Sequence, residues 1–146
     1  MALNTLPIFG KEADIQWSNV DGDGGATGPL LTANTAKDGT GTVLTVYTAP
    51  TNGGFVNYIR IKSAGSNDPT VLRLFINNGS TNATASNNIF FDEIGIPSQT
   101  AQNSSRSFFD LTIPWNIGLP GGYKILATIG TTIAAGIFIG VVGRKT

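Results

Sequence analysis

Short apolar runs, separated by Gly, Asn, Asp, Pro and Ser, recur along most of this chain, which is the pattern of an all-β sandwich or barrel. After residue 28 the runs predict eight strands, at 29–36, 42–49, 54–64, 70–78, 88–96, 106–115, 123–131 and 136–144. Asn52-Gly53 and Asn78-Gly79 supply residues that tolerate positive φ, and Asp68-Pro69 favours a turn. Asn116 through Gly122 holds one Pro and three Gly and is expected to end a strand. No window repeats its apolar residues at helical spacing, so helix content is expected to be low.

Successive strand residues face opposite ways, which assigns faces. Ile59 and Ile61 oppose Tyr58, Arg60 and Lys62; Leu72, Leu74 and Ile76 oppose Val71, Arg73 and Phe75. Phe90, Ile94 and Ile96 fall together with Glu93 opposite, and Phe109, Leu111 and Ile113 oppose Asp110 and Thr112. These read as antiparallel strands with one wet face. In 123–131 and 136–144 both faces are mostly apolar, as in central strands or strands covered by a neighbouring subunit.

The uncharged run from Ile125 to Val142, followed by Arg144 and Lys145, has the length of a membrane span. Gly130, Gly136 and Gly140 interrupt it, however, and β-branched residues dominate it. The reading adopted is therefore two buried strands joined at Ala134-Ala135-Gly136. Eight strands in this length match a jelly roll or similar antiparallel two-sheet sandwich.

Residues 1–28 stand apart as an extended N-terminal arm and Gly-rich loop before a sandwich domain at 29–146. The arm carries Leu6, Ile8, Phe9, Ile15 and Trp17 in a stretch with no expected strand, and these five are the candidate residues for a capsid or subunit interface. On this reading, deleting residues 1–20 leaves a folded protein. The start of the chain lacks the basic and apolar run of a secretory signal, so synthesis in a cytoplasm is expected.

Composition narrows the function. Nine basic and nine acidic side chains cancel in 146 residues, against a nucleic-acid partner. Cys and His are both absent, which removes disulfides, thiolate metal sites, the commonest general base and the usual nucleophilic triads. Asp21-Gly22-Asp23-Gly24-Gly25 lacks the twelfth-position Glu of a calcium loop, where Thr32 stands. Asp92 and Glu93 point to opposite faces of a strand and cannot work together on one substrate. The acceptor-like triplets at Asn78, Asn82 and Asn103 mark two long polar loops, 77–88 and 97–106, which could grip another surface. Trp17, Tyr47, Tyr58, Trp115 and Tyr123 suit sugar stacking, or equally a core or interface. No enzyme activity, cofactor, metal or membrane is expected.

The segments TVLRLFINNGS (70–80), FFDEIGIP (90–97) and LPGGYKILATIGTTIAAG (119–136) resemble a family of small structural proteins of tailed bacteriophages. The similarity runs through residues 35–142. It implies a virion protein of the capsid decoration, or cement, type: a β-sandwich at the capsid surface, bound to the major capsid protein and self-associated as a homotrimer. The alternatives are a tail, baseplate or head-fibre component and a carbohydrate-binding module. Zero net charge implies attachment through shape and apolar contact, tolerant of salt.

Overall fold

The strands of this chain pair as a nested ribbon folded at its centre. In a computed structural model that describes residues 12–17, 28–104 and 109–146, they are β1 (Glu12–Trp17), β2 (Leu44–Thr48), β3 (Gly54–Ser63), β4 (Thr70–Asn77), β5 (Asn88–Ile96), β6 (Asp110–Leu119), β7 (Lys124–Ile129) and β8 (Ile137–Lys145). β4 pairs with β5, β3 with β6, β2 with β7 and β1 with β8, all antiparallel. Rolling that ribbon adds the pairs β3–β8 and β4–β7. Two four-stranded sheets result, β1-β8-β3-β6 and β2-β7-β4-β5. This is the jelly-roll arrangement, and the protein is an all-β antiparallel sandwich. The one helical element among the described residues is a single 3-10 turn at Ala85–Asn87.

The core lies between the sheets. Val56, Ile59 and Ile61 of β3 and Ile137, Ile139 and Val141 of β8 meet Leu72 and Leu74 of β4 and Ile125, Ala127 and Ile129 of β7 in one buried cluster. Each fully buried large side chain contributes roughly 1.5–3 kcal/mol of transfer free energy. β7 and β8 are central in their sheets, which accounts for apolar residues on both faces. The uncharged C-terminal run is thus two strands with a turn between them. Gly136, at φ +81°, closes that turn by donating its N–H to the Ile133 carbonyl. No described helix is long and apolar enough to cross a membrane.

At one edge of the sandwich the sheets are joined by a polar stitch. The Gln16 side chain, 1% exposed, donates from Nε2 to the Thr48 carbonyl at 3.1 Å and accepts the Thr48 N–H at 3.0 Å. It thereby covers part of the backbone edge that β2 would otherwise leave open. Asp14 is buried beside it, with Gln16 Nε2 at 3.3 Å from both carboxylate oxygens. At the opposite edge the contact is apolar: Phe91 of β5 packs on Trp115 of β6 with ring centroids 4.6 Å apart.

Four expectations are corrected. Glu12–Trp17 is a full strand of the first sheet and not a strandless arm. Residues 29–36 form no strand and make only isolated bridges, Leu30 to Ile137 and Ala33 to Ile129. β6 starts four residues later than expected and continues to Leu119. It passes Pro114, tolerated because β6 is an edge strand, and a bulge where Asn116 adopts φ +53°. A bulge at Phe91 separates the Asp92–Leu74 pair from the Phe90–Phe75 pair. It therefore puts Phe90 on the face of Glu93, and not with Ile94 and Ile96.

Candidate interaction surface

The outward faces of the two sheets are treated differently. On the second sheet, Phe75, Leu126 and Thr128 point away from the core, yet all three are buried. The segment after Ala33 covers them. Asn34 N–H bonds to the Ile129 carbonyl at the β2/β7 edge. A few residues on, Asp38, Gly39 and Gly41 offer their carbonyls to Asn88 and Asn82 at the β5 edge, at 2.9–3.2 Å. A chain running between those edges crosses β7 and β4, and the opposing sheet occupies the other side. Asn34 Nδ2 pins this crossing by donating to the carbonyls of Thr40 and Thr42. The polar loop at 77–88 thus grips residues 38–41 of its own chain.

Nothing among the described residues makes an equivalent crossing over the first sheet. Its outward face reads across the strands by register. Ile15 of β1 lies beside Val142 of β8, Val142 beside Tyr58 of β3, and Tyr58 beside Pro114 of β6. That apolar row spans all four strands, and Ile15 is 57% exposed. In the next row Trp17 lies over Gly140, where a Cβ would sit 2.5–2.7 Å from the indole ring. Only glycine leaves room for the ring against the sheet. On the other side, Arg144 stacks over the Phe55 ring at 5.0 Å. The charged residues of this face are Arg60, Lys62 and Arg144 against Asp110, which pairs with Arg60. The face is apolar across its middle and cationic in balance.

A second apolar surface lies on the free edge strand β5. Ile89, Phe90 and Phe91 are consecutive and 57%, 44% and 45% exposed. Phe90 stacks on Phe75 at 5.2 Å. Asp92 and Glu93 follow on opposite faces of the strand, Glu93 accepting from Arg73 at 3.0 Å. Contiguous exposed apolar residues of this kind mark contact surfaces.

Of the five candidate residues, Leu6, Ile8 and Phe9 lie outside the described residues, as does the Asp21–Gly25 cluster. The structure brings Ile15 and Trp17 onto one face. Sequence reasoning missed their neighbours Tyr58, Pro114 and Val142, which only strand register assembles, and it missed Ile89 and Phe90, whose signal was three large apolar residues in a row. Among the aromatics first considered for sugar stacking, Tyr47 is buried and Trp115 is packed under Phe91. Burial of the Tyr47 hydroxyl, helped by the nearby Asp14, pushes its ionisation well above the ordinary phenol range. An open cleft of about 700 Å³ between the β3–β4, β5–β6 and β7–β8 connections is lined by Asn67, Asp68, Gln99 and Thr132 among others. Asn67 and Gln99 are spent on tying those connections together.

The chain matches no family model, no curated protein and no solved structure. The described residues contain no group of three or more acidic side chains placed to hold a metal.

Proposed function

We propose that this protein is a structural component of a tailed-phage virion, a decoration protein that binds the assembled head at the major capsid protein and associates with copies of itself as a trimer. The observation that carries the reading is the unequal treatment of the two sheet faces: among the described residues, the segment after Ala33 covers one, and none crosses the other, which carries an apolar row from Ile15 to Pro114. Burying that row against another subunit recovers free energy that one copy alone leaves unused. The resemblance of 70–80, 90–97 and 119–136 to phage structural proteins supplies the setting. Attachment at several subunits at once would strengthen binding without new kinds of contact.

Trp17 and Ile15 are the described members of the proposed contact, with Leu6, Ile8 and Phe9 upstream of them. Quantitative densitometry of purified virions tests the reading. A decoration protein is present in hundreds of copies per particle, comparable with the major capsid protein. A few copies per particle would instead assign the chain to the tail, baseplate or a head fibre, and its absence from virions would overturn the reading altogether.

A further inference from the structure

We infer that copies of this protein associate head to tail, the β5 edge of one copy seating on the outward face of the β1-β8-β3-β6 sheet of the next. This rests on the self-association in the reading above and names the two surfaces that make it. Both surfaces are apolar at their centres: Ile89, Phe90 and Phe91 on the edge, and Ile15, Val142, Tyr58 and Pro114 on the face. Their charges are opposite. Asp92 and Glu93, the latter paired with Arg73, leave the edge patch acidic in balance, whereas Arg60, Lys62 and Arg144 outnumber Asp110 on the face. Apolar contact supplies affinity, and complementary charge sets orientation and suppresses wrong pairings.

The same charges oppose the obvious alternative. An open edge strand is a template for pairing with its own copy. Antiparallel pairing of β5 with β5 centred on this strand brings the Asp92-Glu93 pairs of two copies together, and like charges directly opposite are destabilising. Edge on face has no such conflict. The two surfaces lie on different parts of the molecule, so the contact is heterologous, and such contacts close into rings when the rotation permits.

The test uses two full-length variants and their mixture. Ile89→Lys puts a cation into the edge patch, where it meets the cationic face. Ile15→Asp puts a carboxylate into the face, where it meets the acidic edge. Both positions are more than half exposed, so folding, followed by circular dichroism and thermal unfolding, should be preserved. Pro114→Asp replaces Ile15→Asp if the latter misfolds.

By sedimentation velocity at tens of micromolar, the wild-type chain is expected to be multimeric and each variant monomeric, with self-association weakened about 30-fold or more. An equimolar mixture should form hetero-oligomers, because the intact edge of Ile15→Asp meets the intact face of Ile89→Lys. If the wild type is multimeric but the mixture stays monomeric, the contact is not edge on face, and the proposal falls while self-association stands. Variants that remain multimeric also overturn it. A wild type that is monomeric throughout overturns both this proposal and the trimer, while virion copy number still decides the decoration reading.

Discussion

Replacing Gln16 by Ala tests whether the polar stitch holds the two sheets together. The side chain is fully enclosed and makes two hydrogen bonds with the Thr48 backbone, at 3.1 and 3.0 Å. Each contributes about 1 kcal/mol net. Truncation also leaves a gap and returns the β2 edge to poorer solvation, adding about 1 kcal/mol. The expected loss is therefore about 3 kcal/mol, or about 10 °C in melting temperature for a domain of this size. The assay is urea denaturation at low micromolar concentration, read by tryptophan fluorescence, with Ile15→Thr as the control. Ile15 sits on the same strand but points outward, so the control should lose less than about 1 kcal/mol. Equal losses in the two variants, or less than about 1 kcal/mol for Gln16→Ala, would refute the reasoning. The first result would mean that β1 contributes through strand pairing alone.

Two further outcomes follow from the same edge. Deleting residues 1–17 removes β1, its pairing with β8 and the Gln16 bonds, so the truncated chain should unfold at least 10 °C lower or aggregate; an unchanged melting curve would show that β1 is dispensable. Tyr47, whose folded-state ionisation is raised, resists alkali that ionises the unfolded chain near its ordinary value of 10.0. Its contribution is intact below pH 10 and declines above it by at most about 1.4 kcal/mol per pH unit. Tyr47→Phe should flatten the fall in urea midpoint between pH 9 and 11 relative to wild type, and parallel falls would contradict the assignment.

The sandwich was legible in the sequence because its central strands obey the usual polarity. In β3, Ile59 and Ile61 are buried and Tyr58 is exposed, as alternation requires. β1 was missed because its polarity is inverted: Asp14 and Gln16 face the core while Ile15 faces outward. Apolar spacing cannot reveal a strand whose inner face is polar and held by hydrogen bonds to another strand. Phe90 was placed on the wrong face for a different reason. A bulge inserts one residue and reverses every face assignment on its far side, and NIFFDEIGI contains no glycine or proline at Phe91 to announce it. The proposed interaction surface was half legible. Ile15 and Trp17 drew attention as large apolar residues in a polar stretch, but their partners come from β3, β6 and β8, and only the register of long-range pairs puts them together.

The nested ribbon also fixes when the protein can finish folding. Residue 12 pairs with residue 145, so β1 waits more than a hundred residues for its partner β8. While β8 is still inside the ribosome, the inner hairpin of β4 and β5 is free to form, but β1 has no neighbour to add to and β3 lacks one of its two. Completion therefore waits for β8, and it lies at the slow end of the range for domains of this length because the pairings are so distant in sequence. Until β8 emerges, the growing polypeptide exposes unfilled strand edges to whatever else is nearby in the cell.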